Sequence, residues 1–152
     1  MDTEERFYAG IGSRETPPGI EAMIEEAANF LGVFEYTLRS GAAPGADSMF
    51  EKHCSHSKEI YLPWKGFNKS ESLLYLENMD NDIVLKAREI AKENHPSWNY
   101  LSEAAKKLMT RNTFQVLGID LKTPVSFIVC WTPGGKIQGG TGQALRIAKR
   151  NF

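Results

Sequence analysis

Three times along this chain a short, largely apolar segment runs into a glycine-bearing loop and then into a helical pattern. Residues 6–9 lead into Gly10-Ile11-Gly12-Ser13-Arg14. Tyr36–Ser40 lead into Gly41-Ala42-Ala43-Pro44-Gly45-Ala46-Asp47. Residues 125–131 lead into a loop over 133–140 that overlaps Gly139-Gly140-Thr141-Gly142. Strands joined through helices run parallel, because a crossover must carry the chain back to the edge from which it started. The chain therefore reads as an α/β fold with a mostly parallel sheet. Right-handed crossovers bring all three loops to one edge, beyond the carboxyl ends of the strands, where open parallel sheets bind ligands.

The remaining elements fit between these loops. Thr16 is a candidate N-cap, and Pro17 and Pro18 suit a helix's first turn. Ile20, Met23, Ile24, Ala27, Ala28 and Leu31 then share one helical face. A helix is expected from the second loop to about Cys54, followed by a strand over 59–62. Residues 70–108 read as helical in pieces, broken near Asn94-His95-Pro96 because proline disfavours helix at the preceding residue. Arg111-Asn112 opens a further helical segment that should end at Gly118. The continuous apolar run 125–131 suits a strand buried on both faces, with Cys130 in the core. A last helix covers 141–149. The 152 residues make one domain. The chain stops where a further strand would be expected, which leaves an open sheet edge and points to a homo-oligomer.

Composition narrows the function. Eighteen Lys and Arg against nineteen Asp and Glu give a net charge of −1, which excludes binding to nucleic acid by global charge alone. Two distant cysteines form neither a disulfide framework nor a zinc ribbon. The start is acidic and carries no signal-peptide pattern, and no apolar run is long enough to span a bilayer. A cytoplasmic protein with no membrane partner is expected. His53 and His56 stand three apart but at a polar helix end, so no metal site is expected. Asp80 is expected to cap a helix beginning near Ile83.

The loops carry the chemistry. Glycine lets backbone N–H groups approach an anion, and a helix N-terminus adds partial positive charge. Ser13, Ser40 and Thr141 can donate hydroxyl bonds. Arg14, Arg39 and Arg111 can hold phosphate in bidentate geometry. Asp47 can accept from a ribose or base. No P-loop is present, and Glu15 stands where a nicotinamide-type fingerprint needs its third glycine. No cofactor is expected. Trp64, Phe67 and Trp131 lie near strand ends and could stack on bases. Lys65, Lys69, Lys106 and Lys107 could line a groove for a nucleic-acid strand.

The segments Phe7-Tyr8-Ala9-Gly10-Ile11-Gly12-Ser13-Arg14 and Leu38-Arg39-Ser40-Gly41-Ala42-Ala43-Pro44-Gly45-Ala46-Asp47 resemble the opening of the DNA-processing protein A (DprA/Smf) domain. Arg111-Asn112 resembles that family's R-N motif. Gly139-Gly140-Thr141-Gly142, with Ala144 and Ala148, resembles the helix start of the LOG (lysine-decarboxylase-like) phosphoribohydrolases. Both families belong to the SLOG superfamily. The segment Ile60-Tyr61-Leu62-Pro63-Trp64-Lys65-Gly66-Phe67-Asn68 is similar to small, standalone DprA-like proteins of phages and bacteria. The resemblance implies a single Rossmann-like three-layer sandwich that binds a nucleotide or nucleotide-derived small molecule as a sensor or sequestering protein. Phosphates would lie over Gly12-Ser13-Arg14 and Gly140-Thr141-Gly142. Ser40, Gly41, Gly45 and Asp47 would wall the ribose or base. Arg111, with Asn112 beside it, would reach a phosphate.

Two alternatives stand beside this reading. One is DprA-like binding of single-stranded DNA in recombination or DNA uptake. The other is LOG-like hydrolysis of a nucleotide N-glycosidic bond, with Asp47, Glu15 or Glu51 as acid or base. The LOG hydrolases carry a glutamate shortly after the glycine motif, whereas Leu145-Arg146 stand at that place here. The resemblance therefore implies a binder at this site rather than a catalyst.

Overall fold

The computed structural model describes residues 4–152. Five parallel strands form one sheet, β1 (Arg6–Gly12), β2 (Tyr36–Ser40), β3 (Lys58–Leu62), β4 (Leu74–Tyr75) and β5 (Phe127–Trp131), in the order β4-β3-β2-β1-β5. The helices are α1 (Glu21–Val33), α2 (Ala46–His53), α3 (Asn81–Asn94), α4 (Glu103–Leu117) and α5 (Gly139–Asn151). This is the expected Rossmann-like sandwich.

Side-chain alternation along the strands builds the two outer layers. Tyr8, Leu38, Ile60 and Leu62 pack against Ile24 and Leu31 of α1 and Phe50 of α2. Phe7, Ala9 and Ile11 face the other way, onto Val116 and Leu117 of α4 and Ala144, Ile147 and Ala148 of α5. Tyr61 stacks on Phe114 of α4, and α3 closes that cluster through Ala87.

Several elements differ from expectation. Strand β1 runs on through Gly10 and Ile11 to Gly12, so these residues are sheet rather than loop. Thr16 does not cap α1; its hydroxyl donates to Ser13 O, and a short 3₁₀ turn over Pro18–Ile20 precedes the helix. Met23 lies off the buried face. The segment 70–80 holds no α-helix, only a 3₁₀ turn over Leu76–Asn78. Ser72 donates its hydroxyl to Ile60 O and accepts from Leu74 N, which holds the chain extended for the two-residue β4.

Helix α4 starts eight residues before Arg111, at Glu103, because Ser102 caps it by accepting from Ala105 N. Arg111 and Asn112 thus sit mid-helix, with the whole of the preceding turns to fix them. Gly118 ends α4 as expected. Asp80 caps α3 by accepting from Ile83 N.

Strand β5 is an edge strand, paired on one side with β1 alone, and Cys130 is exposed. Its apolar run reflects packing onto both layers at the sheet's margin rather than burial between neighbouring strands. Among the described residues no helix is long and apolar enough to cross a membrane.

Candidate functional site

Topology decides where a ligand can lie. The chain runs outward from β1 through β2, β3 and β4 and then returns to place β5 on the other side of β1, which opens a crevice at the carboxyl ends of β1 and β5. A cavity of about 410 Å³ occupies that crevice, within the range usual for small-molecule sites. It is lined by Gly12, Ser13 and Arg14 from the end of β1, Asp47 from α2, Arg111, Asn112 and Gln115 from α4, and Gly139, Gly140 and Thr141 from α5.

The floor holds two buried charged side chains that do not touch each other. Asp47 is 4% exposed and Arg111 is also 4% exposed. Asp47 spends its bonds on backbone: Oδ1 accepts from Gly12 N at 3.2 Å and Oδ2 from Ala43 N at 3.4 Å. Burial pushes its carboxyl up to about 6, against the lowering effects of Arg111 and of these N–H groups.

Arg111 has no carboxylate in contact. Its Nη1 donates to Gly41 O and Tyr61 O, its Nε donates to Asn112 Oδ1 at 2.8 Å, and the guanidinium lies 5.4 Å from the centre of the Phe67 ring. Burial holds it down at about 10; Asp47 opposes that shift and Arg14 adds to it. Arg111 remains a cation at neutral pH. Nη2 has no protein acceptor, and no buried side-chain N or O among the described residues lacks a partner, so Nη2 opens into the cavity.

Opposite Arg111 stands the start of α5. Gln138 gives it no side-chain cap, and its first turn holds no acidic residue. The first intrahelical bond from this end is Gly142 N to Gln138 O at 2.9 Å, which leaves the amides of Gly139, Gly140 and Thr141 free. Asn112 ties the two parts together, since its Nδ2 donates to Gly140 O at 3.1 Å. The arrangement offers a helix N-terminus, a buried arginine and the exposed Arg14 to one anion, with a carboxylate and a carboxamide alongside.

The β1 loop behaves differently from expectation. Gly12 N is taken by Asp47, and Ser13 N donates to Trp131 O at 3.0 Å. Two of the three amides expected to cradle a phosphate there are already bonded. Gly142 N is likewise used within α5. Ser40 is fully buried and donates to Gly10 O at 2.6 Å, a bond between neighbouring strands rather than a ligand contact.

Gly41 lies beneath the cavity. A Cβ there would overlap Gln115 Nε2 and come within 2.6 Å of Arg111 Nη1, so a larger residue would push both side chains from their places. Gly45 begins α2 behind Ser13 and Arg14 and does not line the cavity. Arg39 points to the opposite end of the sheet, where Glu59 takes it. Glu15 and Glu51 are outside the cavity, and among the described residues Asp47 is its one carboxylate.

Of the aromatic residues, Phe67 packs under both cavity arginines and edge-on to Trp64. Lys106 and Lys107 are drawn to Glu103 and Glu77. His53 faces Glu21 at 3.1 Å.

Sequence reasoning missed several lining residues, among them Met109, Thr132 and Gln138, and the buried one with polar chemistry is Gln115. A glutamine in a helix reads as solvated surface, and its one available signal was a position four residues after Arg111, on the same helix face.

Fold and site together define an α/β protein with a cavity at the carboxyl edge of its parallel sheet, lined by two arginines, a carboxylate and the start of α5. Compared with known proteins, the chain matches no family model, no curated protein and no solved structure.

Proposed function

We propose that the cavity binds a nucleotide or nucleotide-derived small molecule through its phosphate, and that the protein acts as a sensor or sequestering protein of the SLOG, DprA-like kind in the cytoplasm. The observation that carries this reading is the uncapped start of α5 facing the free Nη2 of Arg111 across the cavity. A helix N-terminus opposed to a buried, unneutralised arginine is a poor arrangement for an empty protein and a good one for a phosphate. Asp47 and Gln115 beside it suit the polar part of the same ligand.

Binding rather than turnover is favoured because, among the described residues, Asp47 is the cavity's one carboxylate, and backbone N–H groups hold both of its oxygens in place. Single-stranded DNA is less well served, since Lys106 and Lys107 lie beside acidic partners. Pairing of two copies along the open edge of β5 is part of the proposal, and light scattering on Ile128→Lys tests it by a fall in mass to the monomer.

The test of the main reading is a thermal-shift screen with mono-, di- and cyclic nucleotides, ADP-ribose compounds and oligo-dT at two salt concentrations. A ligand at about 100 times its Kd stabilises by about 2.7 kcal/mol, a shift of several degrees for a domain this size. A salt-tolerant shift with a small nucleotide is expected. A shift with oligo-dT alone, lost at high salt, would replace this reading with DNA binding. Turnover of the bound compound that disappears in Asp47→Asn while binding persists would establish an enzyme.

A further inference from the structure

The polar interior is almost entirely spoken for. Arg39 holds Glu59, Ser40 holds Gly10 O, Thr110 holds Lys106 O, and Gln143 bonds both Ala91 O and Arg146. Gln115 stands apart. It is 2% exposed and makes no hydrogen bond to the protein, yet no buried side-chain N or O among the described residues is without a partner. Its small remaining exposure therefore belongs to its carboxamide, and the surface it meets is the cavity. An interior glutamine that bonds nothing costs free energy that an apolar side chain of the same length would not.

Its neighbours indicate what would satisfy it. Gln115 lies one helical turn beyond Arg111, so the two side chains leave α4 about 5–6 Å apart on one face. Gly41 lies against both, and its backbone is near enough to Asp47 to help lower its carboxyl against the effect of burial. Carboxylate, carboxamide and guanidinium thus converge on one residue at the cavity floor. An anion on Nη2 and the α5 amides leaves the adjoining space to a group that must donate to Asp47 and can both accept from and donate to Gln115. A hydroxyl does both, and two neighbouring hydroxyls serve both side chains at once. In a nucleoside 5′-phosphate the ribose hydroxyls lie one ring away from the phosphate, within the span of a helical turn. The base edge lies beyond the glycosidic bond, outside that span.

We infer that Asp47 and Gln115 read the vicinal diol of a ribose phosphate, with Gln115 as the residue that separates ribo from 2′-deoxyribo ligands. The inference rests on the anion site of the proposed function.

Calorimetric titration tests it with the four ribonucleoside 5′-monophosphates, their 2′-deoxy counterparts and inorganic phosphate, on the wild type, Gln115→Met and Arg111→Met. In the wild type the best ribonucleotide should bind at least about tenfold more tightly than its deoxy counterpart, as expected when a site's polar groups are left unpaired. Gln115→Met should reduce that ratio to about one, keep inorganic phosphate binding, and raise the melting temperature, since it removes an unbonded carboxamide.

Wild-type ratios near one, with binding still lost in Arg111→Met, would overturn the diol inference and leave the anion site standing. A ratio that survives in Gln115→Met would overturn the role of Gln115. Absence of binding by phosphate and by every nucleotide, or binding untouched by Arg111→Met, would overturn both. The ribo-to-deoxy comparison in the wild type needs no variant to fold.

Discussion

The molecule buries two arginines in the layer between sheet and α4, one at each end of the strands, and uses them in opposite ways. Arg39, 2% exposed, is neutralised. Its Nε donates to Glu59 Oε1 at 2.8 Å, Nη1 donates to Thr123 O, and the guanidinium lies 3.9 Å from the centre of the Phe7 ring. Tyr61 holds the same Glu59 oxygen at 2.9 Å. Gly118 leaves room for the guanidinium, since a Cβ there would sit 2.8 Å from Nη2. Arg111 is as buried but bonds carbonyls and an amide, keeps its charge unmatched by contact, and leaves one nitrogen facing a cavity. Burial of an arginine therefore says little about its role. The identity of its acceptors decides whether it fastens the fold or waits for an anion.

The sharpest way to break this contrast is to remove Arg39. Arg39→Met strands Glu59 and the Thr123 carbonyl, and breaking such a pair costs about 3–5 kcal/mol. The melting temperature should fall by about 6–20 °C, while phosphate affinity of the folded protein stays unchanged. An affinity loss equal to that of an Arg111 variant would show that both arginines serve the site.

Asp47 provides the next largest effect, through pH. Its folded value lies above the ordinary 3.8, at about 6, so the folded protein holds this proton more firmly than the unfolded chain. The stability that the proton confers is fully present below 3.8 and is lost as pH rises through about 6. The two-unit difference corresponds to roughly 3 kcal/mol. Glu21, Glu103 and Asp120 are shifted downwards and act in the reverse sense, at the acid end of that window. Urea melts between pH 4.5 and 6.5 should therefore show falling stability that Asp47→Asn flattens. An unchanged slope in that variant would place the titration elsewhere.

Arg111→Met follows. It removes a charged donor from the anion, which is worth about 1.5–3 kcal/mol, or about a ten- to hundredfold loss of phosphate affinity by calorimetry. Its melting temperature should drop less than that of Arg39→Met, because no carboxylate is left unpaired. The reverse ranking would contradict the division of roles.

Much of this was legible beforehand. Alternating strand, loop and helix signals specified the parallel sheet; Asp47, Gly140 and Thr141 were marked by residue type in the glycine-bearing loops, and Arg111-Asn112 by its likeness to the R-N motif. Other positions were misread for identifiable reasons. Ser40 and Gly45 have the chemistry of phosphate ligands, but hydroxyls and glycines serve backbone geometry equally well, and Ser40 bonds the neighbouring strand. Arg39 stands beside the second glycine loop, yet strand alternation turns it away from the cavity and sets it opposite Glu59, its register partner on β3. Strand β5 reads as central because its residues are apolar, whereas its place in the sheet depends on what lies beyond it, which no local pattern encodes. Gln115 becomes informative only when its lack of partners is seen.

The finest test concerns Asn112, which holds the anion site together without supplying charge. Its Oδ1 orients Arg111 Nε at 2.8 Å and its Nδ2 holds Gly140 O at 3.1 Å, so one side chain fixes the arginine relative to the free amides of α5. Asn112→Ala removes both bonds and should weaken phosphate binding about fivefold, the equivalent of about 1 kcal/mol. Asn112→Asp keeps the acceptor for Arg111 but loses the donor to Gly140 and places a negative charge beside the anion. If Asn112 acts by positioning and the site is selected by charge, affinity must rank Asn above Ala above Asp. An aspartate variant that binds phosphate as well as alanine does would mean that the charge at this end of the sheet is screened from the ligand, and the contrast between the two arginines would then reduce to hydrogen bonding alone.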